Sequence, residues 1–480
     1  MVAFILPANS VTGGYNIEGS VRLSPSNFLT MDGVMAAGNR KTFTYSFWTK
    51  RGNLGINTCV FSAEASDVVF RFGTSDDIQF KDVNNDSFNL STNNVFRDTS
   101  AWYHIVVAVD TTDGTAANRI KLYVNGTQQT ANFGTASYPS QNHDTEQNNN
   151  GDTFYIGART DSSSQDESMT QHYDGYIAEF HLIDGEQKAA SDFGETNDNG
   201  VWVPIKYDGA FGTNGMYLEF QQTGTDANAS GIGADTSGQA NHFNVNGGLA
   251  ATEITTDTPT NNFATMNPVH SSGNGSGNLP TFAEGSLSLT FGSDSSTSST
   301  IAPSRGKWYV EYKLGEDIAD NNNFPIVGIS AGQGGTAGDI IGFRTPDGSD
   351  FRGQLGTTSV SNAFGSARSA NDIFGFYINL DDEILIVHKN GSDYMGSGAS
   401  SGLDWSGGLT TTNPQTGFYH FYSQSNSDNA FTDLVNFGNP PFSISSGNAD
   451  ANGFGNFEFS PVLSSVNYHA MCTKNLAEFG

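Results

Sequence analysis

The side chains that could catalyse hydrolysis do not have catalytic spacing in this sequence. A retaining glycosidase needs two carboxyl groups about 5–5.5 Å apart, but no strand carries a Glu-x-Asp-x-Glu motif. Glu179 stands alone on its predicted strand, and residues 381–383 (Asp-Asp-Glu) lie at a turn where neighbouring side chains diverge. No Gly-x-Ser-x-Gly segment has the strand-to-helix context of a nucleophile elbow. His104 and His181 lie within predicted strands, as core histidines do. Together these observations predict that the protein is not an enzyme.

The sequence lacks zinc-binding patterns and contains one segment with the spacing of a calcium loop. The sequence has no His-x-x-x-His or Cys-x-x-Cys pair of the kind that holds zinc. Asp82, Asn84 and Asp86 have the oxygen-ligand spacing with which a calcium loop begins. A glycine is missing at the sixth position, and Asn93 stands where a bidentate glutamate would be. We therefore predict an ordinary Asp/Asn turn, with a calcium site as the alternative and no other cofactor.

Sugar binding would need aromatic faces beside amides and carboxylates on exposed loops. In the first half of the chain Tyr138, His143 and Asp144 have these properties. In the second half Tyr394 and Trp405 lie in loops rich in glycine and serine. These residues are the candidate glycan-binding side chains, with Trp405 or Tyr394 as the first choice. The alternative is that each aromatic ring only anchors its loop.

The same strand pattern occurs in both halves and would position these side chains. A Trp-Tyr strand occurs at 101–110 and again at 306–314, and in each half a later strand ends in Asn-Gly, at 125–126 and 390–391. Asn-Gly tolerates the positive φ angles of a tight hairpin turn. In the strand 306–314 the even-numbered side chains share one face and Glu311 lies on the other, which predicts a half-buried strand.

Turn-forming residues are abundant and convincing helical periodicity is absent, so the sequence predicts an all-β fold. We expect two antiparallel, jelly-roll-like β-sandwiches at 18–185 and 280–480, the second with a C-terminal extension. An apolar N-terminal arm (1–17) precedes them, and an irregular connector (186–279) joins them. Five aromatic side chains are expected to be largely buried: Phe47, Trp102, Tyr123, Trp308 and Phe376.

Charge limits the partners of this protein. The formal net charge is −29, from 50 acidic and 21 basic residues. A field of this sign repels phosphate backbones and anionic lipids, so we expect neither nucleic-acid binding nor membrane insertion. Cys59 and Cys472 lie in separate apolar stretches and are expected to be buried thiols, which favours folding in a reducing compartment. The N-terminal segment has no basic region of the type that begins a signal peptide.

Residues 18–185 resemble laminin-G-like (concanavalin A-like) jelly rolls, through Phe47-Trp48, the Trp102 strand and the closing segment 175–180. Residues 280–460 resemble a SPRY-like sandwich, through the segment 306–311 and a late Lys-Asn-Gly. Together with the connector, the whole arrangement resembles tail or fibre proteins of marine bacteriophages.

This resemblance implies a virion protein, made in the host cytoplasm, that contacts other virion proteins and a glycan on the host cell surface. It also implies a homo-oligomer, with a trimer favoured by analogy to fibres. The leading prediction is a non-enzymatic tail-fibre or appendage subunit. Two alternatives stay open: a structural head or tail decoration protein that contacts only virion neighbours, and a glycan-degrading tailspike.

Overall fold

The computed structural model divides the chain into two compact units, one ending at Asn262 and the other beginning at Phe263. The residues that the structure describes are 14–31, 38–63, 68–130, 133–149, 151–160, 169–269, 278–292, 295–317, 325–331, 340–343, 353–355, 358–365, 368–407, 417–425 and 431–480. Residues 1–13 of the expected N-terminal arm lie outside them.

The described part of the first unit consists of strands and three short 3₁₀ helices, at Ala116–Asn118, Ala190–Asp192 and Ala251–Glu253. Its strands are β1 Ser20–Leu23, β2 Phe28–Met31, β3 Thr42–Arg51, β4 Thr58–Ala63, β5 Val68–Phe72, β6 Asp77–Asp82, β7 Asn89–Val95, β8 Tyr103–Asp110, β9 Ile120–Val124, β10 Thr127–Gln128, β11 Phe133–Ser137, β12 Phe154–Ile156, β13 Arg159–Thr160, β14 Met169–Thr170, β15 Gly175–Asp184, β16 Gly194–Thr196, β17 Trp202–Pro204, β18 Met216–Leu218, β19 Asn244–Asn246 and β20 Ile254–Thr255.

Two antiparallel sheets form the sandwich of the first unit. One has the order β10-β9-β8-β3-β15-β1-β20, with β18 also paired to β15, and the other has the order β11-β7-β6-β5-β4-β12-β2-β19. Alternate side chains of β3 point between the sheets, where Phe47 meets Phe61 and Phe70 of the opposite sheet at ring distances of 5.9 and 5.2 Å. Such aromatic pairs stabilise a core beyond the burial of their area.

The prediction of an irregular connector at 186–279 is wrong for most of that segment. Residues up to Asn262 belong to the first unit, where β18, β19 and β20 extend its two sheets. The segment also covers the outer face of β3, which is why Trp48 and Lys50 are buried there as completely as the core side chains. Both faces of this sheet are therefore protected from water, and the segment is part of the domain.

The second unit contains strands and one short helix, α1 Thr473–Phe479, among its described residues. Its strands are β21 Thr281–Ala283, β22 Ser288–Phe291, β23 Ser296–Ser298, β24 Lys307–Lys313, β25 Pro325–Ser330, β26 Ile340–Phe343, β27 Gly353–Leu355, β28 Thr358–Val360, β29 Ile373–Asn379, β30 Ile384–Lys389, β31 Ser392–Asp393, β32 Leu403–Asp404, β33 His420–Ser425, β34 Phe431–Asn436, β35 Val462–Leu463, β36 Val466–Asn467 and β37 His469–Ala470.

The second unit is also a sandwich of two sheets. One has the order β21-β22-β34-β24-β29-β30-β31, with β32 on β30 and β37 on β24, and the other has the order β23-β33-β25-β26-β27-β28. Phe376 of the first sheet meets Phe421 of the second at 5.2 Å between ring centroids. The all-β prediction, with two antiparallel sandwiches, is confirmed.

The two Asn-Gly turns are confirmed as tight hairpins. Asn125 and Gly126 have φ angles of 47° and 76° and join β9 to β10. Asn390 and Gly391 have φ angles of 50° and 78° and join β30 to β31. The two cysteines are free and buried, as predicted.

One aromatic side chain of the predicted set is less buried than the others, and one burial prediction is wrong. Tyr123 is only partly buried, because it lies on the outer face of the edge-proximal strand β9. The strand β24, predicted to be buried on one face only, is buried on both, because Phe457 and Tyr468 pack over Tyr309 on the face opposite Trp308. The remaining four aromatic side chains of the predicted set are 0–1% exposed: Phe47, Trp102, Trp308 and Phe376.

Candidate functional site

An open polar depression of about 530 Å³ lies at one end of the first sandwich. Four chain segments line it: residues 38–41, Asp144, residues 184–185 and residues 212–213. All are loop residues or the last residue of a strand, which is where a rigid sandwich displays variable side chains.

Asp184, the last residue of β15, holds three of the surrounding segments together. Its Oδ1 accepts hydrogen bonds from the Asn39 backbone N–H (2.8 Å) and the Asn148 side-chain amide (3.1 Å). Its Oδ2 accepts a bond from the Asn214 backbone N–H at 3.1 Å. A Cβ added at Gly212 would lie 2.2 Å from the Asp184 carbonyl oxygen, so only glycine permits this close approach. Asp184 is therefore a structural residue of the depression.

Arg40 fixes the loop that carries Asp144. Its guanidinium donates to the Thr145 carbonyl oxygen at 2.6 Å, to Asn149 Oδ1 at 3.2 Å and to Glu146 Oε2 at 2.8 Å. A planar guanidinium with several fixed partners is a rigid support. The loop is thus held in place before any ligand arrives.

Lys41 and Asp144 present the charged groups that face solvent in this depression. Their Nζ and Oδ1 atoms are 3.6 Å apart, and the side chains are 36% and 57% exposed. An exposed pair of this kind adds little to stability. It does place a hydrogen-bond donor beside an acceptor, which matches the alternating donor and acceptor character of neighbouring sugar hydroxyl groups.

The structure separates the sugar-binding candidates of the first unit. Asp144 lines the depression, and His143 precedes it with a half-buried side chain. Tyr138 packs against the hydrophobic core and does not line the depression. Lys41 was missed by sequence reasoning, because no pattern along the chain links it to a loop about a hundred residues later.

The first-choice candidates of the second unit, Trp405 and Tyr394, are not on exposed surfaces, and this expectation is wrong. Their exposed fractions are 2% and 5%, and both belong to the main core of the second sandwich. Trp405 Nε1 donates to the Tyr419 hydroxyl at 3.2 Å. Arg368 Nε donates to the Tyr394 hydroxyl at 3.1 Å. Neither ring offers a face on which a sugar could stack.

The segment for which calcium was the alternative to an ordinary Asp/Asn turn has a different geometry from a cation site. Asp82 is buried and uses both carboxylate oxygens within its own loop, accepting from the Asn85 backbone N–H at 2.9 Å and from the Ser87 hydroxyl at 2.5 Å. Asn84 and Asp86 are exposed. Within the described ranges, no group of three His, Cys, Asp or Glu side chains is arranged to hold a metal ion. Calcium binding stays a prediction that these contacts do not favour.

The acidic turn of the second unit is also arranged differently from the expectation. Asp381 and Asp382 do not diverge; both approach the Lys307 amine, at 3.3 and 3.5 Å. Lys307 Nζ also donates to Asn379 Oδ1 at 3.0 Å. The turn is a solvent-exposed ionic cluster around one lysine.

Glu179 lies in a buried polar network that sequence reasoning did not identify. It has a φ of 51° at a bulge in β15, and its two carboxylate oxygens accept hydrogen bonds from Tyr217 (2.7 Å) and Tyr15 (3.1 Å). The imidazole of His181 stacks on Tyr217 with ring centroids 4.3 Å apart. Burial raises the pKa of the Glu179 carboxyl to about 7 and lowers the pKa of His181 to about 4. Both groups are therefore uncharged in weakly acidic solution.

The raised pKa of Glu179 predicts a pH-dependent stability. Because its folded pKa exceeds the unfolded value of 4.5, its contribution is complete below about pH 4.5 and is lost as the pH rises through about 7. Glu179→Gln should remove this dependence. As the pH rises from 5 to 8, the unfolding free energy of the variant should increase by roughly 2–3 kcal/mol relative to that of the wild type. Denaturant unfolding at both pH values measures the difference. Glu195→Gln, on an exposed side chain, is the control, and parallel pH profiles for all three proteins would contradict the prediction.

The family comparison covers the domain that carries the depression. Residues 26–191 match a laminin G family model described as the concanavalin A-like lectin/glucanases superfamily. This match supports the laminin-G-like prediction for 18–185. No curated protein matches the sequence. In the described part of the chain, α1 has seven residues and no helix has the length and apolarity needed to span a bilayer.

Several solved structures are similar at low identity. A putative carbohydrate-binding protein from Bacteroides ovatus is 16% identical, with 50% of this chain and 60% of that protein covered and a TM-score of 0.33. Domains LG4-5 of the mouse laminin α1 chain are 10% identical, with 96% and 89% covered and a TM-score of 0.28. The SPRY domain of human HERC1 is 12% identical, with 31% and 87% covered and a TM-score of 0.22. The chain spans about 60% of the length of the Bacteroides protein. The family match to residues 26–191 supports a laminin-G-like, concanavalin A-like fold for the first sandwich.

Proposed function

We propose that the protein is a non-enzymatic carbohydrate-binding protein and that its first unit binds sugar in the polar depression around Lys41 and Asp144. The observation that carries the proposal is this exposed donor–acceptor pair, held on anchored loops of a lectin-like sandwich. The depression is preformed, because Asp184 and Arg40 fix the surrounding segments. A preformed polar site loses little conformational entropy when a flexible sugar binds.

The charges favour a neutral glycan as the ligand. The lining contains two cations, Arg40 and Lys41, and two carboxylates, Asp144 and Asp184. The charges of the lining therefore balance, but the whole chain carries a net charge of −29, which repels sulfated or sialylated sugars at a distance. Neutral hexose hydroxyl groups can accept from Lys41 and donate to Asp144 without this penalty.

The biological setting that we propose is attachment of a bacteriophage to its host. In this setting the chain is a tail-fibre or appendage subunit, made in the host cytoplasm, assembled as a homo-oligomer (a trimer favoured) and bound to other virion proteins. The resemblance of the chain to marine phage tail proteins supports this setting. The virion would present the depression to a surface glycan of the host.

Asp144→Ala and Lys41→Ala should each weaken glycan binding, because each removes one charge-assisted hydrogen bond. Such a bond contributes about 1.5–3 kcal/mol, which is roughly ten- to hundredfold in Kd. A neutral-glycan array with the full chain would identify the ligand, and titration calorimetry would measure Kd for both variants. Asp198→Ala changes an exposed acid in a different loop and should bind like the wild type.

Three results would contradict the proposal. Equal affinity of Asp144→Ala and the wild type would place the binding site elsewhere. An array without any bound glycan, together with binding to purified virions, would favour a structural decoration protein. Release of reducing ends from the bound glycan would make the protein a glycan-degrading enzyme.

A further inference from the structure

A lysine, an asparagine and an aspartate meet inside the first unit, away from the depression. Lys50 Nζ lies 2.7 Å from Asn262 Oδ1 and 2.8 Å from Asp257 Oδ2. The side chains of Lys50 and Asp257 are 0% and 1% exposed, and Asn262 is 2% exposed. Lys50 belongs to β3, whereas Asn262 is the last residue of the unit, 212 positions later.

Aromatic side chains enclose this triad, which is defined as Lys50, Asp257 and Asn262. The indole Nε1 of Trp102 donates to Asp257 Oδ1 at 3.1 Å, which orients the carboxylate. The lysine amine lies 5.3 Å from the centre of the Tyr176 ring. Burial lowers the pKa of Lys50, and the neutral form of a buried lysine amine is a nucleophile.

We propose that Lys50 and Asn262 form a spontaneous intramolecular isopeptide bond, with Asp257 as the proton-transfer group. The amine donates a hydrogen bond to Asn262 Oδ1 at 2.7 Å. The carbonyl carbon is bonded to that oxygen at about 1.23 Å, so Cγ lies within about 4 Å of the amine, and a small rotation of the lysine side chain brings the two atoms into contact. The Asn262 side-chain nitrogen, the leaving group, donates to the Ser100 carbonyl oxygen and is thereby held on the other side of the amide.

The reaction needs no reagent beyond these side chains. The lone pair of neutral Lys50 Nζ attacks Cγ of Asn262 and forms the new N–C bond, while one Nζ proton passes to the Asp257 carboxylate. Asp257 then gives that proton to the original amide nitrogen. The C–N bond of Asn262 breaks, ammonia leaves, and a secondary amide joins the two side chains. Asp257 ends in its starting state.

The second unit contains the same three chemical groups in contact with water. This contrast explains why we expect the bond to form only in the first unit. Lys307 Nζ contacts Asn379 Oδ1 at 3.0 Å and Asp381 Oδ2 at 3.3 Å. That lysine and that aspartate are 25% and 47% exposed, so water solvates the amine there and competes for its contacts. The contact distances are similar at the two places, but only the Lys50 triad is shielded from water.

The bond would connect the end of the first unit to its central strand. Asn262 immediately precedes the second unit in the chain, so tension applied through the second unit would reach β3 through a covalent link. The link would also close a long loop in the unfolded chain, which lowers the entropy gained on unfolding. A protein exposed outside a cell would gain mechanical and thermal resistance.

The test is mass spectrometry of the purified full-length chain. We expect the intact mass to be lower than the sequence mass by one ammonia. A tryptic digest should contain a branched peptide that joins the Lys50 and Asn262 segments, without cleavage after Lys50. The Lys307 and Asn379 peptides should be linear, and they serve as the internal control.

Variants separate the bond from other causes of mass loss. Lys50→Met and Asn262→Ala should both have the full sequence mass, whether or not they fold as well as the wild type. Asp257→Asn should keep most molecules unreacted. Folded wild-type protein with the full mass and a linear, cleaved Lys50 peptide would overturn the proposal, and so would an ammonia loss that maps to any other pair.

Discussion

Trp405→Ala is expected to destabilise the second unit by about 3–5 kcal/mol, the cost of removing a large aromatic side chain from a core. The indole is 2% exposed, and its Nε1 donates to the Tyr419 hydroxyl. The substitution leaves a cavity beneath β32 and removes a buried hydrogen bond. Denaturant unfolding, followed by the fluorescence of the remaining tryptophans, should show a lower midpoint.

Asp404→Ala is the matched control, because Asp404, the last residue of β32, directly precedes Trp405 and is exposed. Its loss should cost less than about 1 kcal/mol. Glycan binding by Trp405→Ala, measured where the protein is still folded, should equal that of the wild type. An unchanged midpoint together with weaker glycan binding would show that the indole is a ligand-binding residue after all.

The reason that sequence reasoning misplaced Trp405 lies in the glycines around it. A segment rich in glycine and serine predicts an exposed loop, since these residues favour turns. Here the glycines allow close packing: a Cβ added at Gly398 would lie 1.9 Å from the Ser361 carbonyl oxygen, and Gly402 has a φ of 107°. The chain is rich in glycine because the backbones approach each other, and the loop carries its tryptophan into the core.

Strand positions could be predicted well where a strand was long enough to show alternation. The strands β3, β8 and β24 have seven to ten residues each, and the Asn-Gly pairs locate two hairpins. The strands of the segment 186–262 have only two or three residues, which is too short for a two-residue period to be recognised. Their place in the sheets follows from pairing with distant strands, such as β20 with β1.

The candidate site was predictable only in part for the same reason. Asp144 was identified from its polar loop, because a loop is a local property of the sequence. Lys41 and Asp184 join it through the pairing of β3 with β15, which no local pattern contains. The triad of Lys50, Asp257 and Asn262 likewise unites residues more than 200 positions apart.

Glu311→Ala is expected to destabilise the second unit by about 3–5 kcal/mol, because it leaves several buried donors without their acceptor. Glu311 was predicted to lie on the solvent face of a half-buried strand but is 0% exposed. Its Oε1 accepts from the Tyr309 hydroxyl (3.2 Å) and the Phe459 backbone N–H (2.8 Å). Its Oε2 accepts from the Asn436 side-chain amide (2.9 Å) and the Glu458 backbone N–H (3.0 Å). One carboxylate thus joins β24, β34 and the C-terminal segment that covers them.

Glu311→Gln separates hydrogen bonding from charge in this network. Burial raises the pKa of Glu311 to about 7, so a loss of charge alone would cost little near neutral pH. A glutamine, however, points its amide N–H groups at two of the four donors, and we expect a loss of about 2–4 kcal/mol. Glu478→Gln, on the exposed side of α1, should change the free energy of unfolding by less than about 0.5 kcal/mol. If Glu311→Gln unfolds at the wild-type midpoint, the carboxylate does not hold the C-terminal segment in place, and that segment must be retained by the packing of Phe457 and Tyr468 on Tyr309.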